Sequence, residues 1–137
     1  MKVPVMARNP RFWGVAYLCW LALLCIVSHI SRIPLQPDVA GWDKVQHAVC
    51  FAAGGIILGL ACSLGRSSPN WLAIRSAVIL SGLAVGWFDE WHQSHVPGRS
   101  GNDVWDLCAD FFGSCVAAWL LPGIWRRLKI DGADQSV

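Results

Sequence analysis

Polar side chains recur at a spacing of four residues in three parts of this chain, and their types are those of acid–base catalysts and ligand-binding groups. The pairs are Asp43 with His47, Asp89 with Gln93, and Asp106 with Asp110. Two residues four apart lie on the same face of a helix, so each pair presents its polar atoms in one direction. We predict that His47, Asp89 and Glu90 are the catalytic or acid–base residues of one site, and that the remaining members bind or orient a ligand.

Helix capping explains some of these acids without any function. Asp43 stands just before a predicted helix and Asp103 begins another, and carboxylates at such positions accept hydrogen bonds from free N–H groups. Capping is therefore the favoured interpretation for these two residues taken alone. It does not explain Asp89 and Glu90, which lie at the C-terminal end of an apolar segment, where the helix dipole disfavours negative charge. Nor does it explain Asp110, which is about two turns inside the next segment.

Three kinds of group could balance the negative charge of these acids. Arg99 follows a Val-Pro-Gly turn suited to fold its loop back over the site, where the guanidinium would bind a carboxylate or a ligand phosphate. Lys44 is a second cation close to the acids. A divalent metal ion held by His47, Asp89 and Asp110 is the third alternative, since imidazole and carboxylate are common metal ligands. The chain lacks H-E-x-x-H or a comparable signature, so no cofactor is assigned.

These residues border or interrupt four apolar segments. The chain of 137 residues is 55% hydrophobic and 15% charged, with a mean hydropathy of +0.44, whereas a soluble domain carries about a quarter charged residues. The segments cover residues 12–30, 45–64, 71–88 and 104–121, each about as long as a membrane-spanning helix. We therefore predict an all-α protein, a four-helix transmembrane bundle formed by a single domain over residues 1–137. Intrinsic disorder is excluded, and the six cysteines, all within apolar runs, indicate small apolar side chains rather than a disulfide framework.

Loop charge predicts the direction in which the segments cross the membrane. With a cytoplasmic N-terminus, eight of the eleven bases lie inside, and only Arg32, Lys44 and Arg99 lie outside. This distribution fits the positive-inside rule and places both termini in the cytoplasm. Seven of the nine acids then lie outside, together with all four histidines. Those acids are Asp38, Asp43, Asp89, Glu90, Asp103, Asp106 and Asp110. We predict a polar pocket that faces outward, with membrane lipid rather than nucleic acid as the partner.

Small residues and one arginine within the segments predict how the helices pack. Pairs of small residues four positions apart are Gly55 and Gly59, Gly82 and Gly86, and Gly113 and Ala117. Such pairs let helix backbones approach closely in lipid. Arg75, near the start of the third segment, is expected to extend its guanidinium to the inner interface.

The polar motifs resemble those of the VanZ-like family of small bacterial membrane proteins. Residues 43–47 read D-K-V-Q-H, similar to the family's D-K-x-x-H, and residues 89–93 read D-E-W-H-Q, similar to D-E-x-x-Q. The sequence V-P-G-R-S follows at residues 96–100. Residues 106–113 read D-L-C-A-D-F-F-G, similar to D-x-x-A-[ND]-x-x-G. The resemblance covers approximately residues 43–121, and the order and placement of the motifs make it specific.

The resemblance implies a protein of the bacterial cell envelope, located in the cytoplasmic (inner) membrane. The namesake of the family is associated with resistance to the glycopeptide antibiotic teicoplanin. This chain departs from the family pattern at Asp110, where many members have Asn, so its pocket carries one additional acid. The interval from Arg99 to Asp106 is also one residue longer than usual, which makes Asp103 an alternative aligned acid.

Two hypotheses of different kinds follow. In the first, the outward-facing pocket binds or modifies an envelope lipid or a lipid-linked precursor. His47 and Asp89 then act on the ligand and Arg99 engages a phosphate. The residues that orient them are Glu90, Gln93 and Asp110. In the second, the protein is a non-catalytic structural or accessory subunit whose polar residues lock three helices together. The sequence leaves open whether the protein is an enzyme and what its oligomeric state is.

Overall fold

Four long helices make up almost all of the structure, which is a computed structural model describing residues 4–30, 39–99 and 101–133, with side chains as far as residue 129. The helices are α1 (Pro10–Ser28), α2 (Trp42–Ser63), α3 (Trp71–Gln93) and α4 (Val104–Ala133), and a short 3-10 helix at Val5–Arg8 precedes them. There is no strand in the described part of the chain. All four helices are long and apolar enough to cross a membrane. The predicted all-α class and four membrane-spanning helices are therefore confirmed; Arg32 and Asp38 lie outside the described residues.

The helix ends differ from the predicted segments where polar residues adopt helical structure. Helix α2 begins at Trp42 rather than at residue 45, and α3 continues to Gln93 rather than ending at residue 88. Polar residues interrupt the apolar runs of the sequence, so the predicted segments were shorter than the helices. These residues are nevertheless helical, because their side chains bind one another across the bundle. Helix α4 continues well beyond residue 121 and includes Pro122. All six cysteines are free, which agrees with the predicted absence of a disulfide framework.

Helix α4 packs against both α2 and α3 through the predicted small residues. A methyl group added at Gly55 would lie 2.7 Å from Ala117 Cβ, and one at Gly59 would overlap the side chain of Leu121. The second glycine pair of the bundle contacts α4 in the same way, with Gly82 against Ser114. These contacts confirm the prediction of close backbone approach, which is a main source of helix association in lipid. The buried apolar core around them includes Leu60, Val78, Ala118 and Leu121.

Arg75 satisfies a backbone group that Pro122 leaves free. Proline has no N–H, so the carbonyl of Ala118, four residues earlier, lacks its usual helical donor. The Arg75 Nε of α3 donates a hydrogen bond to that carbonyl oxygen at 3.0 Å. The arginine therefore binds α4 at this point, a role that its position near the start of an apolar segment did not indicate.

Helix α1 is attached at the side of the bundle and is mostly exposed. Its side chains contact the other helices at a few points, including Trp20 against Gly54 and a hydrogen bond of 2.8 Å between Tyr17 Oη and Ser81 Oγ. At one end of the bundle, the C-terminal ends of α1 and α3 meet the N-terminal ends of α2 and α4. We call this the polar end, because the predicted site residues lie there.

Candidate functional site

Lys44 binds three carboxylates at the polar end. Its Nζ lies 2.8 Å from Asp43 Oδ2, 2.6 Å from Asp103 Oδ2 and 2.7 Å from Asp106 Oδ1. We call these four residues the lysine cluster. The cluster joins the first turn of α2 to the start of α4, so the lysine predicted as a balancing cation contacts several acids at once.

The capping interpretation is correct for Asp103, whereas Asp43 is not the N-cap but lies in the first turn of α2, where a carboxylate still suits the positive end of the helix dipole. Asp103 Oδ1 accepts a hydrogen bond of 2.8 Å from the N–H of Trp105 and so caps α4. At the start of α2 the N-cap is instead Gly41, with φ of 78°, and Asp43 lies inside the first turn of the helix. The second carboxylate oxygen of Asp103 binds Lys44, and this hydrogen bond holds the pKa of the Asp103 carboxyl below its ordinary value. Asp103 is therefore ionised at neutral pH.

His47 lies one turn further into α2 and binds Asp110. Its Nδ1 lies 2.9 Å from Asp110 Oδ1, and its Nε2 lies 3.9 Å from Asp106 Oδ2. Asp110 is completely buried, and its Oδ2 has no hydrogen-bond partner among the described residues. Gly86 of α3 makes this position available, because a methyl group there would lie 2.5 Å from that oxygen. The acid that capping could not explain thus orients the histidine.

Glu90 is buried beside this pair and is only partly satisfied. It is 4% exposed, and its Oε2 accepts a hydrogen bond of 2.7 Å from the N–H of Asp103. Its Oε1 is buried without a hydrogen-bond partner in the part of the chain that the structure describes. Buried polar atoms are usually paired, so a lone carboxylate oxygen here indicates a group that awaits a proton, a water molecule or a ligand.

A second polar chain links α1 to α3 and to the following loop. Ser28 Oγ donates to Asp89 Oδ1, and Gln93 Nε2 donates to Asp89 Oδ2 at 2.7 Å. Arg99 Nη2 then donates to Gln93 Oε1 at 2.7 Å. The predicted four-residue pair of Asp89 and Gln93 therefore does share a helix face. Ser28 was not predicted as a site residue, because a single serine at the end of an apolar run belongs to no polar pair or motif.

The predicted turn before Arg99 is present. The N–H of Arg99 donates to the carbonyl of Val96 at 3.1 Å, and Gly98, with φ of 82°, takes the left-handed position that this turn requires. Arg99 Nε is buried without a hydrogen-bond partner in the described structure, and no described carboxylate lies within ion-pairing distance of the guanidinium. The guanidinium is thus held in place by Gln93 while its charge remains unpaired.

A cavity of about 160 Å³ connects the two polar networks. Asp43, His47, Gln93 and Arg99 line it together with apolar residues such as Leu24 and Phe51. The cavity brings together four of the predicted site residues. Gln46 and Cys50 also line it and were not predicted as site residues, since each lies within the helical run of α2 without a chemical motif of its own.

The residues arranged to hold a metal ion differ from the predicted set of His47, Asp89 and Asp110. In the described structure, one ligand atom from each of His47, Glu90 and Asp106 lies within 4.8 Å of the others. Asp89 and Asp110 are instead used in hydrogen bonds to neighbouring side chains. The three carboxylates of the lysine cluster form another such group, but the Lys44 ammonium already contacts all of them.

The other histidines lie outside the cavity. His29 and His92 stack on each other with ring centroids 5.6 Å apart, and His95 Nδ1 lies 2.8 Å from the carbonyl oxygen of Trp91. They share the polar end with His47 but contribute no side chain to the cavity wall. His47 is therefore the histidine that the geometry places at the site.

No model of a known protein family matches the chain, and neither curated proteins nor solved structures match it. The resemblance to the VanZ-like family rests on the polar motifs and stays a prediction. The four membrane-spanning helices and the polar end that they form are the observations from which a function is proposed.

Proposed function

We propose that the chain is a VanZ-like protein of the bacterial inner membrane that binds the anionic headgroup of an envelope lipid or lipid-linked precursor in an outward-facing pocket. The observation that carries the proposal is the unpaired Arg99 guanidinium beside His47 in the cavity at the polar end. A positive group held at a membrane interface without a carboxylate partner is suited to bind a phosphate.

The form of the cavity favours a lipid over a free anion. Its lining combines the polar residues Gln93 and Arg99 with the apolar residues Leu24 of α1 and Phe51 of α2. A volume of about 160 Å³ accommodates a headgroup but not a whole lipid. The acyl or polyprenyl chain of the ligand would therefore lie along the exposed apolar surface of α1, which faces lipid.

Charge at the opposite end of the bundle supports the outward orientation. Arg11 lies in the first turn of α1, Arg66 follows α2, and Arg126 lies in the last part of α4, so these bases lie away from the polar end. Contacts such as the hydrogen bond from Trp125 Nε1 to the carbonyl of Ser63 hold those helix ends together. The positive-inside rule places this basic end in the cytoplasm.

Modification of a bound lipid would use His47. Its Nδ1 is fixed by Asp110, so its Nε2 is the ring nitrogen left to exchange a proton with a ligand. Asp89 is less available, because both of its oxygens accept hydrogen bonds from Ser28 and Gln93. In this proposal Asp89 holds Gln93 and, through it, Arg99.

The test measures lipid bound to the purified full-length protein. Protein extracted from bacterial membranes is analysed by native mass spectrometry, and binding of phosphatidylglycerol and of a polyprenyl phosphate is titrated in detergent. We expect Arg99→Ala to weaken binding at least about tenfold, since a charge-assisted hydrogen bond contributes about 1.5–3 kcal/mol. Arg66→Ala removes an arginine at the other end of the bundle and should change nothing. Equal binding by the two variants would contradict the proposal.

A structural role is the second candidate, and the lysine cluster favours it. Lys44 connects α2 to α4, and Asp89 connects α1 to α3 through Ser28, so the polar residues join the four helices in two pairs. As a lock they would serve an accessory subunit without any ligand. The two roles separate at Arg99, because its loss should leave Tm nearly unchanged if it serves binding and lower it if it serves the lock.

The family resemblance adds a cellular test. Cells producing the native protein are compared with cells producing Arg99→Ala for their susceptibility to teicoplanin. If the protein acts on an envelope precursor that the antibiotic recognises, the native protein should decrease susceptibility and the variant should not.

A further inference from the structure

We propose that His47, Glu90 and Asp106 form a binding site for a divalent transition-metal ion such as Zn²⁺. The three side chains come from α2, α3 and α4, and one ligand atom of each lies within 4.8 Å of the others. One imidazole and two carboxylates are a usual ligand set for such ions, and three protein ligands leave a position open for water or substrate.

His47 is oriented as a metal-binding histidine. Its Nδ1 lies 2.9 Å from the carboxylate of Asp110, while its Nε2 points toward Asp106 Oδ2 at 3.9 Å. Metal-binding histidines usually donate one ring N–H to a carboxylate, which fixes the tautomer and leaves the other nitrogen unprotonated. The distance from Nε2 to Asp106 is too long for a direct hydrogen bond. It suits two ligands of one ion, which lie roughly 3.4 Å apart when both bonds are about 2.1 Å in a tetrahedral site.

Glu90 gives independent support. The residue is 4% exposed, and its Oε1 is buried without a hydrogen-bond partner among the described residues. Its other oxygen accepts a hydrogen bond from the N–H of Asp103, which fixes the carboxylate, and one of its oxygens lies beside His47 and Asp106. A buried carboxylate oxygen without a donor is costly, and a metal ion would remove that cost.

Charge at the polar end also favours a bound cation. Lys44 is shared among three carboxylates, and in the part of the chain that the structure describes it forms no ion pair with Glu90 or Asp110. The carboxylates that surround His47 and Lys44 are Asp43, Glu90, Asp103, Asp106 and Asp110. Buried charges are normally paired or coordinate metals, so one ammonium leaves this group short of positive charge. The assignment does not depend on lipid binding, but an ion bound to His47 Nε2 would replace the proton exchange proposed above for that nitrogen.

The test uses Co²⁺ as a spectroscopic substitute for Zn²⁺. Purified full-length protein in detergent is treated with a chelator, dialysed and titrated with Co²⁺. We expect one ion per chain, a visible absorption typical of nitrogen and oxygen ligands, and displacement of the ion by Zn²⁺. Because the chain has six free cysteines, the near-ultraviolet thiolate-to-metal band is the decisive control. Its appearance with the bound ion, or the absence of saturable binding, would overturn the proposal.

Variants locate the ion at the proposed residues. Glu90→Gln and His47→Gln each remove one ligand and should weaken binding by more than tenfold, and Asp110→Asn, which orients the histidine, should weaken it by about ten- to a hundredfold. His95→Gln changes an exposed histidine that lies at the polar end but outside the site. This variant should bind Co²⁺ like the native protein. Native affinity in both Glu90→Gln and His47→Gln would contradict the assignment, and unfolding of one variant leaves the other to decide.

Discussion

Helix α4 contacts its neighbours in two different ways along its length. Between residues 113 and 121 it packs directly against glycines of α2 and α3, with Ala117 on Gly55 and Leu121 on Gly59. At its N-terminal end it meets α2 through ionisable groups instead, with Asp106 bound to Lys44 and Asp110 bound to His47, whose ring lines the cavity of about 160 Å³. We call the first part the packed segment. One helix thus has a tightly filled apolar contact and a polar, ion-paired one only a few turns apart.

The difference separates stability from binding. In lipid, helix association depends on close packing and hydrogen bonds, because apolar side chains gain little by leaving lipid for protein. The packed segment provides this close packing without ion pairs. The polar end retains an unpaired guanidinium at Arg99 and a free carboxylate oxygen at Glu90. Groups that lack partners are costly to stability, so their concentration at one end indicates a binding site.

The largest effect on stability is expected in the packed segment, from Gly113→Ala. The added methyl group would overlap the backbone carbonyl of Ala48 in α2, which cannot move aside as a side chain would. We expect a loss of about 3 kcal/mol, near the upper end for overpacking a buried contact. Unfolding in mixed micelles, followed by tryptophan fluorescence, measures the change. Gly123→Ala lies on the same helix with open space around it and should change stability by less than about 1 kcal/mol. Similar losses in both variants would contradict the comparison.

At the polar end, Lys44→Met should give the next largest loss. The substitution leaves three carboxylates without their shared ammonium, and breaking a buried ion pair on one side costs about 3–5 kcal/mol. The Lys44 side chain is 30% exposed, so screening by water reduces our expectation to about 2 kcal/mol. Asp43→Asn is the matched variant, because that carboxylate is 45% exposed and should contribute less than about 1 kcal/mol. Equal losses would mean that the lysine cluster does not act as a unit.

The fold and the location of the site could be predicted from the sequence, because both depend on local patterns. Apolar segments of membrane-spanning length indicate helices, however those helices pack against one another. A spacing of four residues also places Asp89 and Gln93 on one helix face. Pairs of small residues likewise indicate close contact, whichever helix they meet. Loop charge then placed the predicted polar residues at one end, where the structure brings them together.

The partners within the site could not be predicted, because they depend on how separate helices meet. Asp89 and Asp110 looked equivalent as intramembrane acids, yet the first binds Ser28 of α1 and the second binds His47 of α2. Glu90 lies beside His47 because α3 remains helical beyond residue 88 and the following loop returns the N–H of Asp103 to it. Neither contact corresponds to a regular spacing of residues in the sequence. For the same reason, the ligand atoms that the structure groups together are those of His47, Glu90 and Asp106 rather than those of the alternative set His47, Asp89 and Asp110.

A smaller effect is expected for Arg75→Met, which tests whether the packed segment also depends on a polar contact. Arg75 donates to the carbonyl of Ala118, which is free because Pro122 has no N–H. We expect a loss of about 1 kcal/mol, since the hydrogen bond involves a charged donor but the residue is largely exposed. In a Pro122→Ala background the helix supplies its own donor, so the loss should almost disappear. A double-mutant cycle of unfolding free energies measures this coupling, and additive effects would contradict it.

The smallest effect is expected from Asp103, the half-buried acid that links the lysine cluster to the cap of α4. Its pKa is lowered in the folded protein by the hydrogen bond from Lys44, so its contribution to stability is fully present above the ordinary Asp pKa of about 3.9. That contribution is lost as the pH falls through the lowered pKa. The difference in Tm between the native protein and Asp103→Asn should therefore be constant near neutral pH and should decrease below about pH 4. A difference that persists into strong acid would mean that Asp103 stabilises the polar end by its fit in the N-cap rather than by its charge.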